Sequence, residues 1–318
     1  MVSVVRDGRR YVLEGHRGEG SLGDLLKWQM EGKRARWPRR VENPSHAPPP
    51  QRVEGAVLKA TWVGHSTVLL QTAGLNILTD PFLSTRASPV PFAGPKRVRP
   101  AALNAETLPP IDLILLSHNH YDHMDLPALR RIARHHKPHV VTPHGNARWV
   151  RRAASSFTID ELGWGEHLDH KGLRIHLTPA LHWSKRGFFD ANTALWGAFV
   201  VEAPGGPIYF AADTGFGTGS TFAEVRERFG APRLSLLPIG AYEPRWFMHP
   251  QHMNPEESVR AHKILESRAS LAIHHGTIQL TDEAIDAPVA ALMDALTQHS
   301  VDPARFLVPD AGETLTID

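Results

Sequence analysis

The chain has 318 residues, 42% hydrophobic and 21% charged, a balance that can bury a sizeable core and excludes wholesale disorder. Lys and Arg number 35 against 33 Asp and Glu, so the formal charge is +2 and the chain is no polyelectrolyte. Cysteine is absent, which removes disulfides, thiolate nucleophiles, Cys-ligated zinc and iron–sulfur clusters, and leaves any transition-metal site to histidine and carboxylate.

Residues 1–55 read as an N-terminal basic, Pro-rich arm, with 11 Lys and Arg against 7 Asp and Glu and an ending at Pro48-Pro49-Pro50. Its first twenty residues carry charges where a signal peptide needs an apolar stretch, and no apolar run here has membrane-span length. A cytoplasmic enzyme is the expectation. Leu22, Leu25, Leu26 and Trp28 suit one short amphipathic helix, packed on the domain surface rather than in a membrane.

Residues 56–318 have the texture of one layered α/β domain. Short strands are expected over Val57–Trp62, Thr67–Gln71 and Leu75–Thr79, followed by a long Pro-rich loop over 89–110. Ile111–Ser117 suits a buried strand. The helix after it sets Leu126, Leu129, Ile132, Ala133 and His136 on one face and Arg130, Arg131 and Arg134 on the other. Further strands are expected at Val140-Val141 and Leu173–Leu177, and a hairpin over Gly197–Glu202 and Ile208–Ala212. Strands at Leu234–Ile239 and Ser270–Ile273 enclose a helix with Asn254 as N-cap and Pro255 at its first position. A last helix carries Val289, Leu292, Met293 and Leu296, and Phe306–Val308 and Thr314–Ile317 close the chain. Two packed sheets with helices outside are expected. The basic clusters Lys96, Arg97 and Arg99, and Arg148, Arg151 and Arg152, read as solvated faces, and no nucleic-acid module accompanies them.

The segment Ser117-His118-Asn119-His120-Tyr121-Asp122-His123 carries the chemistry. A buried strand delivers His118 and His120 at alternate positions, which point the same way, and the turn after them lets Asp122 and His123 face a second ion. Three more candidates follow strand-like runs: His182, Asp213 and His274, the last with His275 beside it. Seven ligand candidates are enough for two ions, since one carboxylate can bridge. Asp80 ends a strand and suits a hydrogen bond to a ligand histidine. His65 follows a glycine at a strand turn.

These motifs resemble the metallo-β-lactamase superfamily, whose HxHxDH signature stands at His118–His123. Within it, the chain is similar to the N-acylphosphatidylethanolamine-hydrolysing phospholipases D and their bacterial relatives, from about Trp62 to the C-terminus. The most specific stretch is Pro238-Ile239-Gly240-Ala241-Tyr242-Glu243-Pro244-Arg245-Trp246-Phe247-Met248, followed by Gln251-His252. The resemblance implies a four-layer αβ/βα sandwich with two Zn2+ per chain, and Mn2+ or Fe2+ suit the same donors. It assigns His118, His120 and His182 to one ion, Asp122, His123 and His274 to the other, and Asp213 to both. It gives catalytic roles to Asp122 and to His252, the latter as proton donor to a leaving oxygen. Tyr242, Arg245, Trp246 and Gln251 would then face substrate, Arg245 as a cation for an amphiphile bearing phosphate.

The implied reaction is phosphodiester hydrolysis by a metal-held hydroxide, on a small-molecule or phospholipid substrate. Hydrolysis of a lactone, carboxylic ester or amide at the same centre is the alternative, and a non-catalytic metal-dependent binding protein is the third reading. Peripheral membrane contact and a homodimer stay open.

Overall fold

The computed structural model describes residues 2–13, 22–32 and 34–318, and the Leu22 side chain lies outside the described set. The chain opens with a hairpin of β1 (Val4–Asp7) and β2 (Arg10–Leu13), then α1 (Leu22–Glu31). The strands β3 (Leu58–Gly64), β4 (Thr67–Thr72), β5 (Leu75–Thr79) and β6 (Leu113–Leu115) lead to α2 (Leu126–His135), β7 (His139–Pro143), α3 (Ala147–Ala153) and β8 (Thr158–Leu162). Next come β9 (His167–His170), β10 (Leu173–Thr178), β11 (Ala198–Glu202), β12 (Ile208–Phe210), α4 (Ser220–Phe229) and β13 (Leu234–Pro238). The chain ends with α5 (Arg245–Met248), α6 (Pro255–Leu265), β14 (Ala269–Ile273), α7 (Ala287–Gln298), β15 (Phe306–Leu307) and β16 (Thr314–Ile317).

Two seven-stranded sheets result, ordered β16-β3-β4-β5-β6-β7-β8 and β15-β14-β13-β12-β11-β10-β9. Each is antiparallel in one half and parallel in the other: β5 to β8 run parallel in the first, β12 to β15 in the second. Alternation along the strands builds the layers. In β4, Val68 and Leu70 join the core between the sheets, while Leu69 packs outward with Leu129 and Ile132 of α2. In β12, Ile208 and Phe210 face the other sheet, while Tyr209 packs with Phe222 of α4 and Leu292 of α7. The order helix, sheet, sheet, helix is the αβ/βα sandwich.

Several elements lack a strong periodic signal. The strands β8 (TIDEL) and β9 (HLDH) are polar and partly exposed, at the far ends of their sheets, so no apolar run marks them. The helices α3 and α4 are short, and α5 is a single turn. The hairpin β1–β2 turns through the two-residue loop Gly8-Arg9, where Gly8 has φ +57°, a glycine-first hairpin turn inside the segment read as an arm. Arg97 corrects the solvated reading of its cluster. It is buried, lies over Phe82 and donates to the carbonyls of Phe82 and Arg99. Burial pushes its guanidinium down to about 10. The N-terminal segment is pinned to the domain: Trp28 Nε1 donates to Asp282 Oδ2 at 2.8 Å, and Trp37 Nε1 to the carbonyl of Glu283 at 2.8 Å.

Candidate metal centre

Strands from both sheets end at one rim, and their loops bring the chemistry together. The loop after β6 carries His118, His120, Asp122 and His123; that after β10 carries His182, that after β12 Asp213, and that after β14 His274. Several of these ends need backbone that favours glycine. His65, Asp80, Ala212 and His274 have φ of 58°, 28°, 52° and 61°, and such strain is retained where surrounding structure over-determines it.

Two donor sets form. In the first, His120 Nδ1 lies 2.9 Å from His118 Nε2 and 3.2 Å from His182 Nε2. In the second, Asp122 Oδ2 lies 3.4 Å from His123 Nε2 and 3.5 Å from His274 Nε2. Asp213 Oδ2 stands between them, 3.1 Å from His123 Nε2, 3.2 Å from His274 Nε2, 3.8 Å from His182 Nε2 and 4.0 Å from His118 Nε2. His65 joins the second set, with Nε2 2.9 Å from Asp122 Oδ2. His252 groups with His182 and Asp213.

The outer nitrogens decide which way these rings face. His123 Nδ1 is 2.7 Å from Asp80 Oδ2, and His118 Nδ1 is 2.9 Å from Ser117 Oγ, itself 2.5 Å from Asp80 Oδ2. His182 Nδ1 is 3.1 Å from the carbonyl of Gln251. Protons on these Nδ1 atoms leave three Nε2 lone pairs aimed at the centre, the usual orientation of metal-binding imidazoles.

The electrostatics match. Burial holds His118 well below the ordinary imidazole range, His120 near 4, and His65, His182 and His252 near 3, so these rings are neutral donors. Burial opposes ionisation of Asp122 and Asp213, yet their histidine neighbours hold both carboxyls well below the usual range. Burial also opposes protonation of His123 and His274, but Asp213 and Asp122 hold His123 well above the ordinary range and raise His274 to about 9, so these two rings carry protons that a bound dication would displace. Buried Nε2 of His120, His123 and His274, and Oδ1 of Asp213, have no hydrogen-bond partner. Convergent lone pairs, two carboxylates and orphaned buried donors fit dications.

The other expected residues divide. Tyr242 is mostly buried, and its phenol is pushed up to about 12 by burial and then Glu283 and Glu243. Trp246 is exposed, with Lys27 Nζ 4.7 Å from its ring centre. Arg245 is not a free cation: Nη2 pairs with Glu257 Oε2 at 2.8 Å and Nη1 donates to the carbonyl of His252 at 3.0 Å. His275 turns away from the cluster and stacks on Trp62, rings 4.8 Å apart. Ser117, Trp183 and Arg186 carry no spacing signal, yet Ser117 links Asp80 to His118 and Trp183 packs edge-on to His120 at 4.5 Å. Arg186 Nη1 straps the metal-rim loop through the carbonyls of Asn119 and Met124.

The Beta-lactamase superfamily domain matches residues 75–275 of the chain. The chain belongs to that superfamily. Within it, the chain is 40% identical over 270 residues to the N-acyl-phosphatidylethanolamine-hydrolyzing phospholipase D 1 of Caenorhabditis elegans, covering 80% of this chain and 75% of the relative. It is 36% identical over 264 residues to the mitochondrial N-acyl-phosphatidylethanolamine-hydrolyzing phospholipase D of Saccharomyces cerevisiae, covering 81% of this chain and 56% of that one. Among solved structures, Igni18, a metallo hydrolase of Ignicoccus hospitalis, superposes with a TM-score of 0.60 at 22% identity, over 82% of this chain and 99% of its own, a likeness of fold. The chain is a metal-dependent hydrolase related to those phospholipases. No helix among the described residues is long and apolar enough to cross a membrane.

Proposed function

We propose that the chain is a binuclear zinc-dependent phosphodiesterase of the phospholipase D type, acting on N-acylphosphatidylethanolamine-like phospholipids. The observation that carries the binuclear reading is Asp213 Oδ2, set between two histidine-containing donor sets. Support for the substrate class comes from the identity to two relatives named for that activity. His118, His120 and His182 would hold one ion and Asp122, His123 and His274 the other, with Asp213 shared. Such a pair supplies positive charge that polarises a phosphoryl group and makes water nucleophilic near neutral pH.

The chain's own residues do the rest in this reading. Asp80 and the Gln251 carbonyl hold three imidazoles in the ligating orientation. His65 Nε2 contacts the same Asp122 oxygen, Oδ2, that faces His123 and His274, and its ring packs 4.0 Å from that of His274. His252, neutral at rest and with Nδ1 unpartnered, stands 5.1 Å from His182 ring to ring and would take up a proton released by the attacking water before delivering it to a leaving oxygen. Arg245 acts through it, as a positioning residue that fixes its backbone.

Metal analysis of the purified chain, joined to turnover in oxygen-18 water, tests the proposal. Two zinc ions per chain, hydrolysis of N-acylphosphatidylethanolamine, and label in the phosphorus-bearing product are expected. One ion per chain refutes the binuclear reading. Turnover of lactones or carboxylic esters in preference to phosphodiesters refutes the substrate class.

A further inference from the structure

Beside the metal-rim loop, against Tyr121 and Asp125, lies a cavity of about 660 Å³ to which the proposed reaction assigns no role. Five arginines line it: Arg86, Arg130, Arg131, Arg134 and Arg186. None of the five makes an ion pair among the described residues. The one carboxylate in the lining, Asp125, is already occupied: its oxygens accept from the backbone N–H of Leu83, Ser84 and Ala128 and from Ser84 Oγ, at 2.7–3.1 Å. Helix α2 therefore concentrates like charge, and the i, i+4 pair Arg130 and Arg134 costs it a few tenths of a kcal/mol.

Arg131 supplies a second, independent observation. Its Nε and Nη2 are shielded from solvent and have no hydrogen-bond partner. These two atoms form one edge of the guanidinium, the edge that grips two oxygens of a phosphate in parallel. Unpaired buried donors on a cation are costly, so a ligand that satisfies both recovers that cost.

We propose that this cavity is a phosphate-group binding site separate from the metal centre. A phosphate group offers several oxygens and up to two negative charges, which matches a fork of guanidiniums better than a carboxylate does. The surroundings favour a lipid-borne phosphate over a free one. Phe92 follows the lining residue Pro91, and Phe188 and Phe189 stand two and three residues beyond Arg186. These rings are 79%, 93% and 92% exposed, and exposed aromatic rings beside arginines suit an interface where acyl chains meet headgroups. The inference does not depend on the proposed reaction, because its test reads binding rather than turnover.

The test uses the metal-loaded full chain and the triple variant Arg130→Gln, Arg131→Gln, Arg134→Gln. Two probes distinguish the source: calorimetry with inorganic phosphate, and cosedimentation with phosphatidylcholine vesicles with and without phosphatidylglycerol. The wild type should bind at least one of the two, taking one more equivalent of phosphate than the variant or binding the anionic vesicles at least about tenfold better. Binding of vesicles alone identifies a lipid phosphate, and Phe188→Ser with Phe189→Ser should then weaken it. Binding of inorganic phosphate identifies a soluble source. Turnover of bis-p-nitrophenyl phosphate by the triple variant should stay unchanged, which reports its fold. Equal binding by wild type and triple variant, or no binding of either probe beyond the metal centre, overturns the proposal.

Discussion

Replacing Asp80 by Asn tests how one buried carboxylate sets both donor sets. Oδ1 accepts the Ser117 N–H at 2.8 Å, and Oδ2 accepts from Ser117 Oγ at 2.5 Å and from His123 Nδ1 at 2.7 Å. Asn has one acceptor oxygen and an NH2 group, so it cannot serve both sides. With the amide oxygen at the Oδ1 position, NH2 meets His123 Nδ1–H and drives that ring to the tautomer whose Nε2 carries the proton. With the oxygen at the Oδ2 position, NH2 meets the Ser117 N–H, and a buried donor goes unpaired. Either arrangement costs about 1–3 kcal/mol of stability. Mis-orientation of His123, and of His118 through Ser117, should also weaken metal binding by about 10–100-fold. Thermal melts in chelator isolate the first effect, and zinc titration against a competing chelator measures the second. Wild-type zinc affinity in Asp80→Asn would refute the reasoning, whatever the change in melting temperature.

Asp213→Asn keeps the shape but removes one negative charge between the donor sets, so metal content should fall and turnover should drop at least about a hundredfold. Retention of both ions with near-normal turnover would show that Asp213 is not shared. Gly215→Ala would place its Cβ 2.3 Å from the carbonyl oxygen of Pro250 and 3.1 Å from Gln251 N, displacing the loop that orients His182 and carries His252. Overpacking of this kind costs about 1–3 kcal/mol, and both the melt and the turnover should register it. His262, buried on α6 beside Ser270 Oγ, is lowered to about 4 by burial and then by Arg305. Its unfolded state takes up a proton first, so its contribution is intact above about pH 6.5 and is lost as pH falls toward 4, up to about 3 kcal/mol. His262→Asn should flatten stability against pH across that window, and parallel profiles for the two proteins would refute it.

The strands that frame the centre are legible because they are buried on both faces and read as apolar runs. Leu75–Thr79 has the expected bounds, and the Asn254 cap is a full capping box with Glu257. The ligand-type residues stand out because strand ends and alternate spacing are local properties, and the fold brings all seven within one rim. Other features depend on long-range geometry. His65 and Asp122 are 57 residues apart and meet only when β3 and β6 share a sheet. Arg245 looks like a free cation in sequence because Glu257, its ion-pair partner, lies twelve residues on, in the first turn of α6. The arginines of α2 look like an ordinary solvated face, since the 89–91 loop segment that helps enclose them has no periodicity.

The same long-range geometry explains why the centre sits where the backbone is least relaxed. His65, Asp80, Ala212 and His274 each turn out of a strand with positive φ, at about 1–3 kcal/mol apiece. Gly240, after β13, comes so close that a Cβ there would clash with the carbonyl oxygen of His274. Relaxing any one turn would swing a candidate ligand or its support away from the others. What prevents this is the double-sheet core: Trp62, Ile77, Phe210 and Ile273 are nearly or wholly buried in one cluster between the sheets. Each anchors a strand whose end supplies His65, Asp80, Asp213 or His274. Because anchor and end residue belong to the same strand, a cavity at an anchor should loosen the site as well as the fold. The apolar interior and the metal rim are therefore one mechanical unit, and metal affinity reports on packing well away from the donors.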